Sequence, residues 1–288
     1  MTKTDQTRDE VAMLRANFHT HTYLCHHASG TVDDYCREAV ASGISILGFT
    51  DHCPIPDGRW SSVRMAMSDL DLYLQAIQQA RLDYPQLTIL AALECEYIPE
   101  FADFQRKHFS AEYGFDYLAG AAHSYWYQGE FKGIYGQVLD APQLQAYADY
   151  LIDTMQSGLY AFVAHPDLFA MALWDWNAAA EACAHAILKQ AAACRMPLEI
   201  NAYGLRKPKK EYAEGLRNMY PMLEFWRLAA EYGIEVLAGS DAHRPEDVWG
   251  NTDACVEIAD RFGLKVINDV FLQRIQSTRL TQTQICKS

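Results

Sequence analysis

Ala16-Asn17-Phe18-His19-Thr20-His21-Thr22 reads as a short β-strand that ends in two imidazoles. Residues two apart on an extended strand point to the same side, so His19 and His21 can serve one ion together. The same pattern recurs down the chain. Apolar, β-rich runs end at Thr50-Asp51-His52, Glu94-Cys95-Glu96, Ala122-His123, Ala164-His165-Pro166-Asp167 and Ser240-Asp241-Ala242-His243. His27 follows the first strand by six residues.

Working outward, seven strands are expected: Ala16–His21, Ile44–Asp51, Leu87–Glu96, Tyr117–His123, Tyr160–His165, Leu198–Asn201 and Glu235–Asp241. Helices are expected between them. Val32–Ser42 is closed by Gly43, and Ser68–Tyr84 opens with Ser68 and Asp71 and stops at Pro85. Ala141–Gln156 has Pro142 in its first turn. Glu100–Tyr113, Ala178–Cys194, Leu216–Tyr232 and Thr252–Phe262 complete the set. Parallel strands need crossovers, and crossovers are usually helices, so alternating β and α units argue for a parallel sheet. Seven units would overfill a simple open sheet. A closed or nearly closed α/β barrel is expected, with a doubly wound open sheet as the alternative. No glycine-rich phosphate loop follows the first strand, which disfavours nucleotide-binding folds. Residues 125–140, with Gly129, Gly133 and Gly136, read as an irregular mobile loop over the site.

The 288 residues suit one domain, with a flexible lead over residues 1–14. Met1–Glu10 has no apolar run of the signal-peptide type, and no run approaches the ~18 residues that cross a membrane. A cytoplasmic protein is expected. The net charge of −13 disfavours a nucleic-acid partner, and three divalent ions would reduce it to −7. The eight cysteines form no CxxC pair and read as reduced, several of them buried and inert.

In parallel α/β folds the C-terminal strand ends converge on one face, where functional groups collect. Seven histidines (His19, His21, His27, His52, His123, His165, His243) with Glu94 and Asp241 fall there. A lone strand-end histidine is more often a hydrogen-bonded structural residue, and a strand-end acid often just caps a helix. Nine such groups at six of seven strand ends are hard to explain that way. One tetrahedral zinc takes about three protein ligands, so nine imply two or three ions, of zinc, manganese or iron, sharing a carboxylate. His26, His108 and His185 fall outside the pattern. Cys95 alternates away from Glu94 and reads as wall, although Cys25, Cys53 and Cys95 sit beside ligands in sequence. Glu96, Asp51 and Asp167 are candidates to orient ligand histidines.

These stretches resemble the polymerase-and-histidinol-phosphatase (PHP) family. The resemblance rests on His19-Thr20-His21-Thr22 with His27, Gly48-Phe49-Thr50-Asp51-His52, Leu93-Glu94, His123, Ala164-His165-Pro166-Asp167 and Gly239-Ser240-Asp241-Ala242-His243. It implies a distorted (β/α)7 barrel with three divalent metal ions. His19, His21, Glu94 and Asp241 would hold the first, Glu94, His123 and His165 the second, and His27, His52 and His243 the third. The chain is also similar to the histidinol-phosphatase branch at Leu24-Cys25, Arg64-Met65, Glu199-Ile200-Asn201, Gly204-Leu205-Arg206-Lys207 and Arg244-Pro245. It departs at Ser124-Tyr125-Trp126-Tyr127 and at His26, where glycine is usual. The branch implies a phosphomonoesterase of histidine biosynthesis that releases L-histidinol from L-histidinol phosphate by attack of a metal-bridging hydroxide.

Asp241, His243 and His123 are the candidate catalytic groups. Arg206 is the first candidate for a bidentate phosphate contact, ahead of Lys207, Arg64 and Arg244. Tyr125, Trp126, Tyr127 and Tyr203 are candidate pocket walls. Three readings compete. One is a phosphatase for another small phosphoester or nucleotide. Another is an amidohydrolase-type barrel, disfavoured because no lysine ends a strand. The third is a metal-stabilised, non-catalytic barrel.

Overall fold

A computed structural model describes residues 14–285, so all but the last residue of the proposed lead, and Cys286, lie outside the described residues. Strands β1 (Ala16–Asn17), β2 (Ile46–Phe49), β3 (Thr88–Glu96), β4 (Tyr117–Ala121), β5 (Ser124–Tyr127), β6 (Glu130–Gly133), β7 (Phe162–Val163), β8 (Leu198–Asn201), β9 (Lys210–Tyr212), β10 (Gly215–Arg217), β11 (Glu235–Gly239) and β12 (Lys265–Val266) follow in chain order. Eight of them form one parallel sheet in the order β1-β2-β3-β4-β7-β8-β11-β12. The crossovers are helices α1 (Val32–Ala41), α2 (Leu70–Asp83), α3 (Ala102–Phe104, continued by a π-helical stretch Gln105–Glu112), α4 (Ala141–Gln156) and α5 (Ala178–Cys194). The short α6 (Tyr203–Arg206), then α7 (Leu223–Glu231), α8 (Thr252–Phe262) and α9 (Asn268–Ile285) complete the chain.

The sheet curls until β1 and β11 meet, as the expected barrel requires. Backbone pairing across that seam is a single bridge, Thr20 to Ala242, with the His21 amide donating to the Ala242 carbonyl at 2.9 Å. Two buried asparagines stand in for the missing ladder. Asn17 Nδ2 donates to Ser240 Oγ at 2.7 Å, and its Oδ1 accepts from the Ser240 amide at 3.1 Å. Asn268 donates to the carbonyls of Ala16 and Ala238 and accepts from the Ala238 amide, at 2.8–2.9 Å. An amide side chain carries both a donor and an acceptor, so it can bridge two strands that splay apart. β12 was not foreseen; it pairs only the start of β11, through Glu235 and Val236.

Strand alternation carries the core up into the site. Leu90 and Ala92 fill the bore, and the same face continues to Glu94 and Glu96. Tyr117, Ala119 and Ala121 lead likewise to His123, and Leu237 leads to Asp241. The bottom of the bore is plugged by α9, also unforeseen. Phe271 meets Phe18 and Phe162 edge-on, with ring centres 4.9 and 5.8 Å apart. Cys95 faces outward into the packing between sheet and helices, as its alternation required.

Two expectations need correction. Residues 125–140 begin as an antiparallel hairpin: β5 pairs β6 through a two-residue turn, Gln128-Gly129, with both φ angles positive. Such turns favour Asn-Gly, and Gln-Gly hides the signal. The helix expected over Leu216–Tyr232 starts only at Leu223. Before it lie the β9–β10 hairpin and a cis Tyr220-Pro221 bond; Pro221 has no N–H to give a helix interior.

Candidate metal centre

The nine expected groups meet at the C-terminal mouth of the barrel. Glu94 is at the middle. His165 Nε2 lies 2.8 Å from its Oε1, and His52 Nδ1 lies 2.9 Å from its Oε2. His21 Nε2 is 3.5 Å from Oε2, while His19 and His123 approach Oε1 at 3.6 and 3.7 Å. Asp241 Oδ1 faces His21 Nε2 at 3.2 Å and His19 Nε2 at 3.6 Å. His27 and His243 set their Nε2 atoms 3.1 Å apart at the outer edge. Donor atoms of His19, His21 and Glu94, of His52, Glu94 and His123, and of His27, His52 and His243 each lie close enough to hold one ion. Glu94 belongs to two of these groups.

The chemistry of this donor set fits metal. His19 and His21 bring Nε2 to Nε2 at 3.0 Å, where a neutral pair has at most one proton to share. Asp241 Oδ1 and Glu94 Oε2, both buried, face only imidazole nitrogens and have no well-aligned donor among the described residues. Lone pairs that converge without donors need a cation. The carboxylates draw positive charge to this cluster: burial opposes a charged His21, yet the adjacent Asp241 and Glu94 raise it to about 10. Burial likewise works against ionised Glu94, but the surrounding histidines hold it well below the usual carboxylate range. His243 is pushed down to about 3, first by burial and then by the charge of His21, so it stays neutral with a lone pair to give.

Two carboxylates fix the outer ring nitrogens of candidate ligand histidines. Glu199 Oε1 accepts from His19 Nδ1 at 2.8 Å, and Glu96 Oε1 accepts from His123 Nδ1 at 2.8 Å. Each bond places the proton on Nδ1 and frees Nε2 for metal. Glu199 Oε2 also accepts from Asn201 Nδ2 at 2.8 Å and from the His165 amide at 3.2 Å. Asn201 then reaches Asp241 Oδ2 at 3.1 Å. A Cβ on residue 239 would stand 1.8 Å from Glu199 Oε1, so this carboxylate requires Gly239. Glu199-Ile200-Asn201 carries no role of its own in the sequence. The same-face spacing of Glu199 and Asn201 at a strand end is the available signal.

Other expected groups do different work. Asp51 accepts from the Thr22 amide and hydroxyl, and Asp167 from the Met222 amide and Trp226 Nε1. Both tie segments together and neither orients a histidine. Arg206 does not reach the cavity. Its guanidinium donates to the carbonyls of Gly250, Ser240 and Asp241 and pairs with Asp247, so it braces the strand end that carries Asp241. Arg244 is exposed and paired with Asp247. Arg64 lines the cavity, but its buried charge is matched by Glu96. Lys207 also lines it, with Nζ 3.9 Å from the Tyr203 ring centre. The cavity has a volume of ≈260 Å³. Of the four expected aromatic walls only Tyr203 lines it. Tyr125 is buried behind, and Trp126 packs edge-on to Phe131. Tyr135 and Tyr220 line it instead. His26 turns away to the Ser61 carbonyl, and His108 and His185 bond to Glu112 and Tyr232. Cys25 brings a free thiol beside His21 and His243, whereas Cys53 and Cys95 pack in the outer layer.

A curled parallel barrel with a buried histidine–carboxylate cluster at its strand ends is the framework of a metal-dependent hydrolase. The PHP domain family model matches residues 17–203, and a PHP-associated model matches residues 224–250. The chain belongs to the PHP family and is a phosphoesterase of that kind. It is 32% identical over 265 residues, 86% of this chain and 94% of the other, to a Deinococcus radiodurans protein named probable histidinol-phosphatase. Among solved structures it is similar to hisK from Listeria monocytogenes, with TM-score 0.70 and 21% identity over 83% of this chain and 99% of that one. A second is the Lactococcus lactis histidinol phosphate phosphatase complexed with zinc, L-histidinol and phosphate (TM-score 0.68, 18% identity, 88% and 95% covered). These two likenesses speak to the fold. No helix among the described residues is long and apolar enough to cross a membrane.

Proposed function

We propose that this chain is a single-domain, cytoplasmic phosphatase that hydrolyses L-histidinol phosphate to L-histidinol and phosphate. The carrying observation is Glu94, a buried carboxylate shared between neighbouring groups of metal-ligand atoms. His19, His21, Glu94 and Asp241 would hold one divalent ion, Glu94, His123 and His165 a second, and His27, His52 and His243 a third, of zinc, manganese or iron. The bound ions would acidify a water for in-line attack on phosphorus and neutralise the phosphoryl oxygens.

The chain's own residues do the rest. Glu199 and Glu96 keep protons on the outer nitrogens of His19 and His123. Arg206 fixes the backbone that presents Asp241 and His243. Lys207 is the lining cation placed to meet the phosphate, with Arg64 behind it. Family membership favours a phosphoester over an amide, and the Deinococcus relative supports histidinol phosphate among small phosphomonoesters. The net charge of −13 argues against a nucleic-acid substrate.

The test is phosphate release by zinc- or manganese-loaded protein from L-histidinol phosphate, glycerol 3-phosphate, O-phosphoserine and a nucleoside monophosphate. Histidinol phosphate should lead the panel in kcat/KM by about tenfold or more, a margin set by contacts to the non-phosphate half. A better substrate elsewhere in the panel overturns the assignment while leaving the phosphoesterase.

A further inference from the structure

L-Histidinol phosphate carries an ammonium group and an imidazole on the half that leaves. Among the described residues, the cavity offers that half no free carboxylate. The acids that line it are Glu94 and Asp241, both committed to the metal cluster, and the remaining charged lining groups besides histidine are the cations Arg64 and Lys207. Cationic organic groups can instead be held by aromatic faces, through the negative face of the ring.

Three tyrosines line the cavity, and two are already engaged. Tyr203 stacks on His243, with ring centres 4.6 Å apart and planes 9° from parallel, and it carries the Lys207 ammonium over its ring. Tyr220 is only 2% exposed. Tyr135 is 53% exposed, at the rim. Its ring runs parallel to that of His123, within 11°, with centres 6.4 Å apart, a looser approach than the Tyr203 stack.

The backbone holds Tyr135 in place. The Ile134 amide donates to the His123 carbonyl at 2.9 Å, so the β5–β6 hairpin is tied to the strand end that supplies a ligand. Ile134 is fully buried, and Gly136 turns the chain with φ +76°. A rim aromatic fixed in this way loses little freedom when it meets substrate.

We infer that Tyr135 is a specificity-determining residue whose ring receives the cationic, planar leaving half of the substrate while the phosphate sits on the histidine–carboxylate floor. This rests on the histidinol phosphate reading above. The chemistry is recognition only, with no bond made to Tyr135.

The experiment compares the zinc-loaded full chain with Tyr135→Leu, Tyr135→Phe and Tyr135→Trp. Each is assayed on L-histidinol phosphate and on glycerol 3-phosphate, which has neither ring nor amine. Tyr135→Leu should lower the ratio of the two kcat/KM values about 5- to 30-fold, mainly through KM for histidinol phosphate. Tyr135→Phe and Tyr135→Trp, which keep a ring, should hold that ratio within about threefold of the parent. An unchanged ratio in Tyr135→Leu overturns the inference. So does an equal fall on both substrates, which would mark Tyr135 as packing for the hairpin. A parent enzyme that hydrolyses glycerol 3-phosphate but not histidinol phosphate overturns the substrate reading itself, and the inference falls with it.

Discussion

At the floor of the cavity the functional side chains stand at the ends of barrel strands, nearly all buried, with backing from Glu199, Glu96 and the strand backbone. At the rim they come from hairpins and short turns. Tyr135 follows the β5–β6 hairpin, and Tyr203 and Lys207 lie in and just after α6, ahead of the β9–β10 hairpin. Floor residues are placed at or just past the ends of strands whose lower halves fill the core. Rim residues are placed by local turns that can change without disturbing that core. The difference separates chemistry from selection: the floor fixes what reaction is possible, and the rim fixes which molecule undergoes it.

The strongest way to break that division is at the floor. Asp241→Asn removes the charge of a candidate metal ligand but keeps size and the possibility of bonding Asn201. Turnover should fall on the order of a thousandfold or more on every phosphomonoester tested, with loss of bound metal and an unchanged far-UV circular dichroism spectrum. Elemental analysis and steady-state rates check this. Activity within tenfold of the parent would remove Asp241 from the ligand set.

The same division explains what the sequence disclosed. The nine ligand candidates converge because parallel strands end together; period two carries Glu94, His123 and Asp241 there, while His19, His21 and His165 step off the bore face of Phe18 and Ala164 and His27 comes from the following loop. Glu199 is equally regular, but a carboxylate that bonds a histidine looks in sequence like any strand-end acid. Arg206 misled for the opposite reason. Its residue type fits phosphate, but which way a guanidinium points depends on carbonyls 34–44 residues away in the chain. The seam escaped notice because Asn17 and Asn268 mean nothing until β1 and β11 are side by side. Tyr135 carries no periodic signal at all.

A middle-sized effect is expected one layer behind the floor, where the two supporting carboxylates should behave differently. Glu199 serves three donors: His19 Nδ1, Asn201 Nδ2 and the His165 amide. Glutamine at 199 has one oxygen for them and turns an NH2 toward a donor. Metal affinity or kcat should fall about 10- to 100-fold with modest loss of stability. Glu96 instead neutralises Arg64, which is buried as deeply as its partner. Glu96→Gln should therefore also lower stability by about 3–5 kcal/mol, because it strands a buried charge. Thermal unfolding with metal titration separates the two. Equal destabilisation by both variants would mean that the Arg64–Glu96 pair is not the distinguishing feature.

The smallest expected effect lies at the boundary between rim and floor, at two adjacent cations. Lys207 lines the cavity, and Arg206 spends its donors on backbone. Lys207→Met keeps the length of the side chain and its packing on Tyr203 but loses the charge. KM should rise about tenfold for all phosphomonoesters alike, since a charge-assisted contact is worth roughly 1.5–3 kcal/mol at best and this ammonium is already shared with a ring. Its melting temperature should stay near that of the parent. Arg206→Met should do the reverse, lowering stability by about 2–3 kcal/mol as three carbonyls lose their donor, with KM changed less than kcat. A rise in KM at constant stability for Arg206→Met would show that the guanidinium swings onto the phosphate once substrate arrives. The brace on Asp241 would then be a resting position, and the line between rim and floor would run on the other side of residue 206.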